Sequence, residues 1–120
     1  MNTVIYKNMK HRVFDLETPY GHEKVICSTE QYRDNGTLAI KMLCVEDGIV
    51  TEPYAILTVN LSNPFLQNGT NAFVDTNNNG FWGCEDFIKK NGLGEPTGIT
   101  GHSGYCSYPL YKFDTAKFTA

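Results

Sequence analysis

Along the first half of the chain, β-prone apolar runs separated by turn signals read as a series of strands. Thr3 to Lys7 and Arg12 to Glu17 read as short β-prone runs, and Thr18-Pro19-Tyr20-Gly21 breaks the pattern as a turn. Lys24 to Tyr32 and Thr37 to Glu46 are the clearest strands. Asn35-Gly36 between them is a strong hairpin signal, because both residue types tolerate positive φ. With Asn35 and Gly36 as the two central turn residues, Asp34 faces Thr37, Glu30 faces Lys41 and Cys27 faces Cys44. One face of the pair then collects Val25, Cys27, Leu38, Ile40, Met42 and Cys44, and this is the predicted core face. A slip of one residue would turn that whole set outward, so burial of the face should hold the pairing.

Asp47-Gly48 marks another turn. Ala55 to Leu61 predicts a further strand with Leu57, Val59 and Leu61 on one face, Ser62 to Asn71 a loop, and Ala72-Phe73-Val74 a short extended piece. The period then changes to that of a helix. Cys84, Phe87 and Ile88 fall on one face of a predicted helix over Cys84 to Asn91. Glu85 and Asp86 complement its N-terminal dipole end, and Lys89 and Lys90 the C-terminal end. Gly92 supplies a left-handed stop, with Leu93 placed to pack back. Tyr105 to Phe113 is aromatic and β-prone, and Pro109 within it predicts an edge strand, with Asp114 placed to cap a last short turn. These elements predict an α+β fold in one domain over 1–120. Its twisted antiparallel β-sheet has roughly five or more strands, meander-rich in the first half, packed against one main α-helix near 84–91.

Composition narrows the class. Hydrophobic residues are 41% and charged residues 19% of 120, which suits a globular chain rather than a disordered or membrane-spanning one. The first residues, Met1 to Arg12, hold no apolar stretch of signal-peptide length, so a cytoplasmic location is expected. Net charge is −3, with basic residues grouped only at Lys7, Lys10, His11 and Arg12, which disfavours direct nucleic-acid binding. Cys27, Cys44, Cys84 and Cys106 include no close-spaced pair, and in the cytoplasm they read as reduced thiols.

Four stretches carry a resemblance: Leu57 to Leu61, Val74 to Asn78, Phe87-Ile88 through Asn91 to Gly94, and Ser103 to Tyr111. They resemble an uncharacterised small-protein family, a domain of unknown function, carried on integrative conjugative elements and plasmids of Gram-positive gut bacteria. The similarity covers roughly residues 55 to 113 and departs at Gln67 to Asn71 and Asn79 to Gly83, where this chain carries extra residues. The resemblance implies an accessory protein of a mobile element. It carries over no catalytic residues.

Candidate chemistry is local. Asp75, Asn77 and Asn79, then Gly80 and Asp86, match the oxygen-ligand spacing of a calcium loop. Calcium is therefore the one cofactor the sequence suggests, against the plainer reading of an Asn-rich turn. Cys27 opposite Cys44 makes a candidate thiol pair, with two small apolar core side chains as the favoured alternative. Zinc is disfavoured, because the closest pair among the Cys and His residues is His102 and Cys106. The same pair lacks an orienting third group, so no catalytic residue is assigned. Phe81, Trp82, Tyr105 and Tyr108 form a candidate partner-binding patch, the competing reading being that they sit in the core.

The resulting expectation is a non-enzymatic protein-binding accessory protein of a mobile genetic element, in a sharper form an inhibitor of a host defence system such as restriction or CRISPR. Its partner would be a host or mobile-element protein. A structural or regulatory homo-oligomeric component of a conjugation system is one alternative. A weak calcium-binding module or an enzyme is another.

Overall fold

The computed structural model describes residues 2–18, 21–61, 66, 69–76 and 83–120. Strands β1 (Thr3–Tyr6) and β2 (Met9–Arg12) form a small hairpin. Its turn residues Lys7 and Asn8 have φ of 51° and 63°, the left-handed pair that lets a two-residue loop match strand twist. Strands β3 (Phe14–Thr18), β4 (Gly21–Gln31), β5 (Leu38–Glu46) and β6 (Ile49–Ile56) follow as a four-stranded antiparallel meander in chain order. A second four-stranded antiparallel sheet has the order β7-β8-β10-β9, with β7 (Thr58–Val59), β8 (Asn71–Val74), β9 (Gly94–Ser103) and β10 (Cys106–Phe113). Between β8 and β9 in the chain lies α1 (Cys84–Lys90).

Among the described residues, the expected single sheet against one main helix is corrected to two four-stranded antiparallel sheets, a hairpin and one α-helix of seven residues. The division occurs at Leu57, between β6 and β7. Its N–H donates to the Ile40 carbonyl of the first sheet at 2.8 Å, and its own carbonyl accepts from Asp75 N–H at 2.9 Å. One buried residue thus ties the strands of both sheets.

The β4–β5 register also differs from the expectation. Cys27 faces Met42, Cys44 faces Val25, and Glu30 faces Ala39. The loop holds four residues, not two: Tyr32 N–H donates to Thr37 O at 2.9 Å, and Gly36 N–H to Tyr32 O at 2.8 Å. The cause lies in the Asn35 side chain. Its Oδ1 accepts from Thr37 N–H and from the Thr37 hydroxyl, which holds an Asx-type turn and leaves only Gly36 left-handed, at φ 68°. Asp47-Gly48, by contrast, does form the expected two-residue turn, with φ of 52° and 77°.

Because the pairing moves by two residues, every side chain keeps its face. Val25, Cys27, Leu38, Ile40, Met42 and Cys44 are all buried, as expected. All but Cys44 join a central core with Leu57, Val74, Phe87, Ile88, Leu93, Tyr111, Phe113 and Phe118. The other face is buried too. Ile26, Leu43 and Val45 pack against Val4 of the β1–β2 hairpin, with Tyr6, Val13 and Val50 half-buried around them.

The helix matches its prediction closely. Cys84, Phe87 and Ile88 are its buried residues. Leu93 N–H donates to Ile88 O at 2.9 Å and Gly92 N–H to Lys89 O at 3.2 Å, the bond pair of a Schellman stop, with Gly92 at φ 65° and Leu93 buried.

Strand β10 is not an edge strand. It lies between β8 and β9, and Pro109 sits just beyond the stretch paired with β8, where a missing N–H costs no bond on that side. Strand β9, Gly-Glu-Pro-Thr-Gly at its start, has little strand propensity of its own and is held by β10. Asp114 precedes the last short turn, Thr115–Phe118, but its side chain makes no capping bond. That turn delivers Phe118 to the central core, and Thr119 then pairs with His11 of β2.

Candidate functional site

Among the described residues, the β9–β10 hairpin carries the most exposed aromatic side chain, Tyr105. Ser103 and Cys106 close a two-residue turn in which Gly104 has φ 61°. Glycine at the first central position permits that turn, and Tyr105 at the second stands fully exposed to solvent. Behind the tip, alternation fixes the rest. Cys106, Tyr108 and Leu110 turn to one face, against Phe73, Leu66, Leu61 and Ile99, while Ser107 turns to the other and is exposed. Gly101 lies directly over Phe73, where an added Cβ would come within 2.7 Å of its ring. Any larger residue there would require the Phe73 ring or the Leu61 side chain to shift.

On that other face, Ser107 Oγ and His102 Nδ1 are in hydrogen-bond contact at 3.1 Å, across the strand pair. Histidine therefore pairs with Ser107 and not with Cys106, a neighbour that becomes visible only once the Gly104-Tyr105 turn sets the register. Both side chains are exposed. Among the described residues, no acid is hydrogen-bonded to the imidazole.

The other predicted residues separate. Tyr108 is 3% exposed and belongs to the core, which corrects its expected place in a partner-binding patch. Phe81 and Trp82 lie outside the described residues, as do Asn77 and Asn79 of the calcium pattern. Asp75 is half-buried beyond β8 and Asp86 is exposed in the first turn of α1. Glu85 beside it is engaged elsewhere, accepting a hydrogen bond of 2.6 Å from the Tyr111 hydroxyl. Burial, reinforced by that carboxylate, pushes the Tyr111 hydroxyl well above its usual range. Among the described residues, no group of His, Cys, Asp and Glu is placed to hold a metal ion.

Three of the four thiols, Cys27, Cys44 and Cys84, are buried. The expected Cys27–Cys44 pair is diagonal rather than opposed, and both cysteines are free. Burial pushes Cys27 up to about 12. It pushes Cys84 up to about 11, helped by the charge of Glu85. Cys44 is raised by burial and then by Glu23, Glu52 and Glu46. Such thiols are poor nucleophiles and poor ligands. Exposed apolar side chains at Ile5, Met9, Ile49 and Ile56 are distributed over the hairpin and β6. No described helix is long and apolar enough to cross a membrane.

A family model described as a domain of unknown function, DUF4313, matches residues 27–120. The match begins inside β4, so it reaches further toward the N-terminus than the similarity read from residue 55 and leaves β1, β2 and β3 outside it. No curated protein and no solved structure matches the chain.

Proposed function

The chain belongs to the DUF4313 family, a domain of unknown function, and on that premise we propose that it is a non-enzymatic protein-binding protein whose contact centre is the tip of the β9–β10 hairpin. One observation carries this reading: Tyr105 stands fully exposed on a two-residue turn whose flanking strands are anchored in the second sheet. A tyrosine there contributes nothing to the core and is pre-positioned on a rigid support, which lowers the entropy lost on binding. The polar neighbours Ser103, His102 and Ser107 give it the rim of a recognition surface rather than a reaction centre. In its sharper form, motivated by the resemblance to proteins of conjugative elements, the partner is a component of a host defence system that this protein blocks.

The test compares tagged wild-type and Tyr105→Ala proteins as bait in lysate of a bacterium that hosts such elements, with recovered proteins quantified by mass spectrometry. A specific protein held by the wild type and lost from Tyr105→Ala is the expected outcome. Identical recoveries from both baits, or none above beads, would remove the hairpin tip from consideration.

A further inference from the structure

The edge strands of the two larger sheets are β3, β6, β7 and β9, and an unprotected edge is a template for another strand. Three of these are guarded or too short. Strand β3 carries the exposed charges Asp15 and Glu17. Strand β6 carries Glu52 and Pro53, and its pairing with β5 is interrupted by two irregularities. Strand β7 has only two residues. The first half of β9 is guarded as well, by Glu95, Pro96, a left-handed Gly98 at φ 87° and a shift in its pairing with β10. Its second half, Ile99 to Ser103, has none of these. It pairs with β10 without interruption from Thr100 to Ser103, carries no proline, and lies within a stretch from Pro96 to Tyr111 that contains no Asp, Glu, Lys or Arg.

The direction of its backbone groups follows from the turn. Ser103 and Cys106 close a two-residue loop and form the hydrogen-bonded pair, so the bonds of an antiparallel ladder alternate from there. Thr100 and His102 consequently direct their N–H and C=O groups away from β10, and no described strand lies on that side. Thr97 supports the same geometry from the other end. Its hydroxyl donates to Leu110 O at 3.0 Å and accepts from Ile99 N–H at 3.2 Å, holding the strand at the point where the free edge begins.

We propose that the β9 edge from Ile99 to Ser103 receives an extended, uncharged segment of the partner protein as an additional β-strand, with Tyr105 as the neighbouring side-chain anchor. This rests on the protein-binding reading above and specifies its mode. The edge offers no Asp, Glu, Lys or Arg to pair with a charged side chain, which favours a segment without those residues. A second copy of this chain is a poorer occupant. A stretch of about five residues falls well short of the roughly 1,200 Å² that a stable association of two folded surfaces buries, whereas it matches the length over which peptides add to sheet edges.

The experiment uses a display library of random peptides selected on the full-length protein, followed by synthesis of the enriched consensus. Three variants are measured beside the wild type: Thr100→Pro and His102→Pro, each removing one outward N–H without touching a ladder bond to β10, and Tyr105→Ala. Circular dichroism and thermal melting verify that each variant is folded. Amide hydrogen exchange is followed on the wild type, with and without peptide. The expected result is an uncharged β-prone consensus that each proline variant binds at least about tenfold more weakly. Exchange at the Thr100 and His102 amides should slow when the peptide is present. No enriched peptide, or one bound equally by a folded proline variant with unchanged exchange at both amides, overturns the proposal. A peptide lost only from Tyr105→Ala overturns it too while leaving the protein-binding reading intact. Sedimentation showing a wild-type dimer that Thr100→Pro abolishes would assign the edge to a second copy instead.

Discussion

The two faces of the β4–β5 pair are both apolar and both buried, yet they are covered in different ways. The inner face packs against residues from almost every other part of the chain: Leu57, Val74, Phe87, Ile88, Tyr111, Phe113 and Phe118. The outer face, Ile26, Leu43 and Val45, is covered by one local hairpin through Val4 and Tyr6. Contacts that gather distant segments couple the whole domain, so losing them unfolds it as a unit. A two-stranded hairpin is marginal alone, and this one is held by its apolar side and by the far end of the chain. Arg12 donates to Thr119 O at 3.1 Å, and Ala120 N–H to Lys10 O at 3.0 Å. The family match begins at Cys27, so it includes Leu43 and Val45 but not the hairpin that covers them.

The largest effect should follow from breaking the inner face. Phe87→Ala removes a buried ring that meets Phe14 edge-to-face at 6.1 Å between centroids, and should cost about 3–5 kcal/mol in denaturant unfolding. All probes should then report one shifted transition.

Alkaline pH should act on the same face. Cys27, Cys84 and Tyr111 all have folded pKa values raised above their unfolded ones. For each, the stability is fully present below the unfolded value and declines as pH rises toward the folded one. For Cys27 that window runs from 9.0 to about 12. Melting temperature should fall across this range, and Cys27→Ala should flatten part of the fall, whereas an unchanged profile in that variant would deny the thiol its contribution.

On the outer face the expected response is smaller and local. Val4→Ala should cost about 2 kcal/mol or less, by the transfer value of a buried valine. Amide exchange should accelerate in β1 and β2 while β5 stays protected; uniform acceleration would show the two faces to be coupled after all. Smaller again is Asn35→Ala, which deletes the two bonds to Thr37 and that to Asn60 and should cost about 1 kcal/mol. At the hairpin tip, Tyr105→Ala should leave the melting temperature unchanged, with a stability change within about 0.5 kcal/mol, because nothing in the core touches the ring.

Legibility in the sequence followed how locally each feature is specified. The helix and its stop were readable because Cys84, Phe87, Ile88, Gly92 and Leu93 all lie within one short segment. The Asp47-Gly48 turn was readable for the same reason. Strand β9 was not, since its pairing with β10 supplies what its Gly, Pro and Thr residues lack in propensity. Tyr105 and Tyr108 were indistinguishable in the sequence as candidate contacts. The Gly104 turn separates them, sending one to solvent and the other against Phe73. The neutral run from Pro96 to Tyr111 was visible throughout, but its significance depends on β9 lying at an edge.

What the sequence alone determined is which side chains share a face. A period-two pattern survives any register change of two residues, so Val25, Cys27, Leu38, Ile40, Met42 and Cys44 were bound to be buried together. Which of them are neighbours was decided only in the tertiary structure. There the Asn35 side chain bonds Thr37 and Asn60, widens the loop to four residues and moves Cys27 from Cys44 to Met42. The division into two sheets was decided there as well, because Leu57 can join Ile40 to Asp75 only when segments far apart in the chain have already met.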